Sequence, residues 1–224
     1  VPEAFTAIPG VRYALTSNGA SVVDLQTGEQ LVNQPFKTED ALKIYDILAG
    51  GAGMMSIFIG GKSYTTRENA EQHMDMVPEN LRTYFRTTRL EVADMHKTLR
   101  DHAHEIEKYS MIYATEAERD AAWHEVLAAC PGMELTSSLP CNMEINAPGV
   151  TKGSGLMALA RTLGLTRAQV MAVGDSGNDC AMIEAAGLGV AMGNATDDIK
   201  KIADVTTDDN NHDGVAAAIE NYVL

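Results

Sequence analysis

The run Val170-Met-Ala-Val-Gly-Asp-Ser-Gly-Asn-Asp179, continuing into Cys180-Ala-Met-Ile-Glu-Ala-Ala-Gly187, constrains this chain more than any other stretch. Met171 to Val173 is an apolar run, short enough for a strand buried on both faces. Gly174 ends it and permits a tight turn. Asp175 falls just past the strand's carboxyl end, followed by Ser176, Gly177 and Asn178. Apolar residues return at Ala181, Met182, Ile183 and Ala186, close to one face of a helix. In an open α/β sheet, ligands bind in the crevice outside the carboxyl ends of strands. An acidic residue there, beside an anion-favouring helix start, suits a divalent metal paired with a phosphate. The same spacing equally fits Asp175 and Asp179 as plain turn and first-turn helix residues.

The neighbouring sequence repeats the pattern. Asn142–Asn146, Val170–Val173, Leu188–Met192 and Asp204–Thr206 read as strands. Each is followed by a helix: Gly153–Leu163, Asn178–Ala186, Thr196–Ile202 and Gly214–Tyr222. Four strand–helix pairs in succession imply a parallel sheet with right-handed crossovers. Upstream, Arg12–Thr16 reads as a strand ending in the turn Ser17-Asn18-Gly19-Ala20. Val1–Pro9 reads as the tail of a helix.

The region from 21 to 138 has another character. Ser21–Phe36 reads as a hairpin around Gln26-Thr27-Gly28. Glu39–Leu48 has helical spacing and is closed by Gly50-Gly51. Met54–Ile59 and Ser63–Thr66 read as strands around Gly60-Gly61. Helices are expected over Arg67–Met76, from Glu79, within Leu90–Glu105 and over Glu116–Ala129. Lys108–Tyr113 and Met133–Ser138 read as strands. The whole suggests a mixed α/β unit with antiparallel hairpins.

Composition narrows the partners. Lys plus Arg number 17 and Asp plus Glu 31, a net charge of −14. Such a chain is a poor fit for nucleic acid or an anionic membrane. A phosphorylated small molecule stays compatible, because a metal and one or two local cations can invert the field of one pocket. The apolar fraction of 45% belongs to a globular chain. Cys130, Cys141 and Cys180 are odd in number without CxxC spacing, and read as reduced thiols of the cytoplasm. No apolar run approaches the roughly 18 residues of a membrane span, and no signal peptide is visible. No pattern fixes an oligomeric state.

Few other residues offer chemistry. Lys152 opens a helix after Pro148-Gly149-Val150-Thr151, where the macrodipole opposes a cation. By position alone it reads first as an exposed lysine, and second as a partner for an anion. Gly193-Asn194 lies on the same sheet edge as Lys152 and Asp175, and three such sites favour a pocket. His102 and His104 share no helix face, and His73, His96 and His124 form no pattern. The methionines read as packing residues, and Trp123 as an anchor between helix and sheet.

Lys152-Gly153, Val173-Gly-Asp-Ser-Gly-Asn-Asp179, Met182-Ile-Glu-Ala-Ala-Gly187, Val190-Ala-Met-Gly-Asn-Ala195 and Asp213-Gly-Val215 together resemble the haloacid dehalogenase-like superfamily. The similarity is greatest to its Cof-type sugar-phosphate phosphatases. It covers 142–224 closely, Leu15–Ala20 well, and the stretch between only in kind. The resemblance implies a three-layer parallel-sheet core, partial here because its N-terminal strands are missing, carrying an inserted mixed α/β cap. The expected division is core over 1–20 and 139–224 and cap over 21–138, with linkers at Asn18–Ser21 and Leu139–Asn142.

The resemblance also implies Mg²⁺-dependent hydrolysis of small phosphorylated metabolites. An aspartate attacks phosphorus to give an aspartyl-phosphate, and a second aspartate serves as acid and base. By matching position, Asp175 ligates Mg²⁺, and Lys152 steadies the phosphoryl oxygens and the nucleophile. Asn178 contacts the phosphate, Asn18 belongs to the substrate site, and Asp179 orients Lys152 or supports the metal shell. Asn194 and Ser176 would be neighbours only.

The sequence departs from that family at its first motif. Asp-x-Asp-Gly-Thr, which carries the nucleophile, does not occur in these 224 residues, and neither does the following Ser/Thr-Gly motif ahead of Asn18. The chain begins Val1-Pro-Glu rather than with Met. The expectation is a fragment of a longer enzyme, with the strands holding Leu15 and Val173 not paired to each other. The alternative is a non-catalytic module that keeps a phosphate- and metal-binding pocket.

Overall fold

A computed structural model describes residues 6–139 and 141–224. The expected helix tail at the N-terminus therefore falls partly outside the described residues, as does Pro140 of the second expected linker. The chain is an α/β protein in two compact units, residues 1–32 with 150–224, and residues 33–149.

The first unit holds two three-stranded sheets. Strands β1 (Tyr13–Thr16), β2 (Ser21–Asp24) and β3 (Gln30–Asn33) follow one another in order. β1 and β2 run antiparallel, Tyr13 opposite Asp24 and Thr16 opposite Ser21. The β2–β3 turn is tied by the Asp24 carboxylate, which accepts from the Gln26 and Thr27 amides at 2.9 and 3.3 Å. The same carboxylate takes the Arg12 guanidinium at 2.9 Å. The hairpin read over 21–36 thus exists, but it extends the β1 ladder.

Helix α6 (Lys152–Thr162) packs on the turn after β1. It starts in a capping box, where Thr151 Oγ1 accepts from the Ser154 amide and Ser154 Oγ from the Thr151 amide. Contact is close because both surfaces are glycine. A Cβ on Gly155 would stand 2.5 Å from the Gly19 Cα, and Gly19 has φ +95°.

The second sheet is parallel, in the order β10 (Met171–Gly174), β11 (Leu188–Ala191), β12 (Val205–Thr206). Helices α7 (Cys180–Ala185) and α8 (Asp197–Ile202) connect these strands, and α9 (Gly214–Tyr222) follows β12. Ala160, Val170, Ala172, Ile183 and Ala186 form one buried cluster, and Ala191, Met192, Ala195 and Ile199 another. Small residues dominate, so helices lie near the strands. β1 and β10 belong to separate sheets, as the sequence leads one to expect.

The second unit is built on one six-stranded sheet. Its strands are β4 (Met54–Ile59), β5 (Lys62–Thr66), β6 (Arg89–Val92), β7 (Ile106–Ile112), β8 (Glu134–Thr136) and β9 (Asn142–Asn146), in the order β6-β5-β4-β7-β9-β8. Only β5 and β6 pair in parallel. Tyr109, on β7, is fully buried and packs edge-on against Phe36 at 5.7 Å. Its hydroxyl donates to the Ala41 carbonyl of helix α1 (Thr38–Leu48) at 2.6 Å, and burial holds the phenol well above its ordinary pKa. Residues of opposite parity face the other way. Met54 and Ile112 there form a cluster with Val77 and Phe85, the latter from α3 (Glu79–Thr88). Helices α2 (Arg67–His73), α4 (Met95–Asp101) and α5 (Glu116–Ala129) complete the unit. Their starts are capped by Thr66, Asp94 and Thr115. Trp123 is half-buried on α5.

Two expectations need correction. Asn142–Asn146 is not the first strand of the parallel sheet. It runs antiparallel between β7 and β8, with Ile145 opposite both Tyr109 and Leu135. The strand alternates polar and apolar residues, and parallel strands covered on both faces read instead as continuous apolar runs. All five of its residues are buried. Asn142 Oδ1 accepts the Ser138 and Leu139 amides, Asn146 Nδ2 donates to the Glu107 carbonyl, and Glu144 pairs with Lys108 at 2.5 Å. The unit boundaries consequently fall at Val32/Asn33 and Gly149/Val150, not at 20/21 and 138/139.

Tyr109→Phe should destabilise the protein by about 0.5–1.5 kcal/mol, because it removes one buried hydrogen bond while the Ala41 carbonyl stays in its helix ladder. The urea midpoint measures this, and an unchanged midpoint would show that the bond carries no stability.

Candidate functional site

The turn after β10 gathers most of the residues singled out in the sequence. Its organiser is Asp179, whose side chain is 6% exposed. One carboxylate oxygen accepts from Lys152 Nζ at 2.5 Å. The other accepts from the backbone amides of Asp175 and Ser176 at 3.0 and 3.1 Å, with Ser176 Oγ at 3.4 Å. A single buried anion therefore satisfies one ammonium and two backbone donors. That removes the penalty that each would carry alone in a dry turn.

Local sequence makes this geometry available. Gly174 lies so near the Asp179 side chain that a Cβ there would stand 2.5 Å from the Asp179 Cβ. Gly153 does the same for the two helices, since its Cβ would come 2.2 Å from the Ala181 carbonyl oxygen. Lys152 is the first residue of α6, where the helix dipole opposes its charge, and Asp179 answers that charge. The lysine stays 25% exposed, so its ammonium is held yet still reaches solvent.

Asp175 is exposed at the mouth of the turn. Its Oδ2 accepts from Asn194 Nδ2 at 3.0 Å, and Asn194 Oδ1 accepts from the Asn210 amide at 3.0 Å. Backbone bonds add to this, as the Thr196 amide donates to the Asp175 carbonyl and the Met192 amide to the Gly174 carbonyl. The loops after β10, β11 and β12 are thus joined through Asn194. Asn178 is buried, and its Oδ1 accepts from Ser176 Oγ at 3.0 Å. Asn18 is buried in the turn between β1 and β2 with φ 54° and ψ 34°. That turn lies against the start of α6, where a Cβ on Gly19 would meet the Thr151 carbonyl at 2.1 Å.

The structure therefore brings Lys152, Asp175, Asn178 and Asp179 together, with the Asn18 turn against the helix that starts at Lys152. The sequence reading missed the part played by Asn194. It placed this residue on the right sheet edge, but an asparagine after a strand carries no mark of what its amide will hold. The three cysteines are free thiols, and burial pushes Cys130 and Cys180 up. They take no part in this site.

Magnesium takes oxygen ligands and commonly uses one or two carboxylates together with phosphate and water. Asp175 has an exposed carboxylate steadied on one oxygen only. Among the described residues, no group of three or more His, Cys, Asp and Glu side chains is placed to hold a metal. The donors fit a cation shared with a phosphate and water, not one closed in by protein.

A parallel sheet thus carries an acidic turn, a paired lysine and an asparagine at its carboxyl edge, the edge at which open α/β sheets bind their ligands. The chain belongs to the haloacid dehalogenase-like hydrolase family, whose model matches residues 4–219. It is 54% identical over 92 residues to the 5-amino-6-(5-phospho-D-ribitylamino)uracil phosphatase YcsE of Bacillus subtilis (strain 168), a match covering 41% of this chain and 37% of that protein. It is 45% identical over 91 residues to Phosphatase YwpJ of the same organism, covering 41% and 32%. The match spans about a third of the length of each of these two relatives. A haloacid dehalogenase-like hydrolase from B. subtilis has a similar structure, with TM-score 0.78, 27% identity, and coverage of 95% of this chain and 79% of that one.

Asp179→Ala should cost on the order of 3 kcal/mol, because it leaves a partly buried ammonium and two amides unanswered. Asp175→Asn should stay within about 1 kcal/mol, as is usual at an exposed position. Chemical denaturation of both variants measures this, and equal losses would mean that Asp179 does not organise the turn.

Proposed function

We propose that this protein is a Mg²⁺-dependent phosphatase of small phosphorylated metabolites, sugar phosphates or compounds like them. The observation that carries this reading is the Asp179 carboxylate, which fixes the Lys152 ammonium and the backbone of Asp175 at once. A cation for phosphoryl oxygens, at the start of α6, and a carboxylate for a hard metal, on the turn after β10, are thereby set in one site. The family and the phosphatase relatives support the reading.

Each residue has a defined task in it. Lys152 meets the negative charge on the phosphoryl oxygens, which changes most as the bond to phosphorus breaks. Asp179 holds the Lys152 ammonium in place and aimed. Asp175 would hold Mg²⁺, and Asn194 orients its carboxylate. Asn178 and Asn18 contribute polar atoms to substrate. When bound there, a divalent cation would supply charge neutralisation for the phosphoryl group. The nucleophile and the acid/base of the aspartyl-phosphate route are assigned to carboxylates outside these 224 residues. Among the described residues no helix is long and apolar enough to cross a membrane, and the free thiols suit a cytoplasmic setting.

Full-length protein should hydrolyse a generic phosphate monoester with Mg²⁺ and lose that activity in excess chelator. Asp175→Asn should abolish most turnover and weaken the metal dependence. Lys152→Ala should lose about 2–4 kcal/mol of transition-state stabilisation. Steady-state kinetics across metal concentrations measures all three. Phosphate binding with no turnover would instead favour the non-catalytic module.

A further inference from the structure

The second unit carries a charged residue that the reading above leaves unused. Arg89 begins β6, and its guanidinium is clasped by aromatic rings. Its Cζ lies 3.6 Å from the Phe85 centroid, 5.1 Å from Tyr84 and 6.0 Å from Phe58. Nε donates to Ser56 Oγ at 3.1 Å and Nη1 to Thr88 Oγ1 at 2.8 Å. Among the described residues no carboxylate pairs with it. That is unusual company for a half-buried arginine in a chain with 31 acidic residues. Desolvation lowers its pKa, opposed only by Tyr84. An arginine stays charged under such a shift, so it sits there as a cation with hydroxyl and aromatic partners and no carboxylate.

A second observation comes from the adjacent strand. Ser63 is the register partner of Arg89 on one side and of Phe58 on the other. Directly paired residues point to the same face. Ser63 is 5% exposed, and its Oγ has no hydrogen-bond partner. Beyond Phe58 the same row reaches Lys108, whose Nζ lies 4.8 Å from the Phe58 centroid and pairs with Glu144. One face of the sheet thus presents a guanidinium without an anion and a buried hydroxyl without an acceptor, side by side. A planar guanidinium held on aromatic faces is pre-organised for bidentate binding of carboxylate or phosphate.

We propose that Arg89 and Ser63, around Phe58, form a binding site for the carboxylate or phosphoryl group of a small molecule. The guanidinium fork takes two oxygens, and Ser63 Oγ donates to one of them. Phe85 and Tyr84 hold the fork in place, and the Lys108–Glu144 pair closes the row with no net charge of its own.

The test uses ¹⁵N-labelled protein and follows the Arg89 Nε–H resonance during titration with malonate and, separately, with inorganic phosphate. The signal is read at Arg89 itself, so phosphate bound elsewhere does not enter it. A saturable shift is expected. Tighter malonate identifies a carboxylate ligand and tighter phosphate a phosphoryl ligand, and either result supports the site. Arg89→Lys keeps the charge but loses the fork, and should weaken binding at least tenfold. Ser63→Ala should weaken it several-fold without lowering the thermal midpoint, since that hydroxyl bonds nothing in the fold. Absence of a saturable shift overturns the proposal, and so does wild-type affinity in Ser63→Ala.

Discussion

The bond between Asp179 and Lys152 is the interaction on which the rest of the site depends. Without its partner, Lys152 would be a cation at the positive end of a helix, the least favourable place for it. Without the lysine, Asp179 would be a buried carboxylate with only backbone and hydroxyl donors. Together the two charges tie the start of α6 to the turn after β10. The turn in turn fixes Asp175, and Asp175 holds the β11 loop through Asn194 and the Thr196 amide. Four segments distant in sequence are registered against one another by one carboxylate and the bonds that radiate from it.

That arrangement needs close backbone approach, which explains the residue sizes around it. Gly174 and Gly153 are not turn-formers here, for neither has a positive φ. They are places where no Cβ fits, because Asp179 and the Ala181 carbonyl already occupy the space. The core behind the site is rich in alanine, with Ala160, Ala172, Ala186, Ala191 and Ala195 among its buried residues. Larger side chains would separate α6 and α7 and carry Lys152 away from its partner. The second unit solves a different problem. Its sheet has interior faces filled by Tyr109, Ile57 and Ile145, and it accommodates Lys108 and Glu144 as a neutralising pair at 11% and 8% exposure. Such a pair contributes little net stability, but one member without the other would be costly.

Much of this was legible in the sequence. The β10–turn–α7 segment announced itself, because a short apolar run, a glycine and an acidic turn leave few structural options. Lys152 and Asp179 were placed in one site by their resemblance to a family motif, not by spacing, since 27 residues separate them. Asn194 was located but not understood, for its amide acts through a contact with a residue 19 positions away. Asn142–Asn146 was misassigned for a clearer reason. Its place ahead of three strand–helix pairs outweighed its own alternation of polar and apolar residues. That alternation marks an antiparallel strand, and it was readable without coordinates. The 21–32 hairpin was recognised but given to the wrong unit, because the Tyr13–Asp24 pairing that binds it to β1 depends on ladder register.

The unpaired groups of the second unit follow a different logic from those of the first. In the first unit the polar side chains around β10 answer one another: buried Asp179 has its ammonium and amides, buried Asn178 its serine and exposed Asp175 its asparagine. A fold that satisfies its polar groups so fully makes each exception informative. Ser63 Oγ is such an exception, and beside it on the neighbouring strand stands Arg89, a cation with hydroxyl and aromatic partners but no carboxylate. Ser63 Oγ adds no bond to the sheet, and Arg89 makes its hydroxyl and aromatic contacts while desolvating a cation. A leucine at 89 would cover Phe85 without desolvating a cation, and an alanine at 63 would leave no donor unanswered. Their joint presence is economical only when an anion from outside the chain completes both.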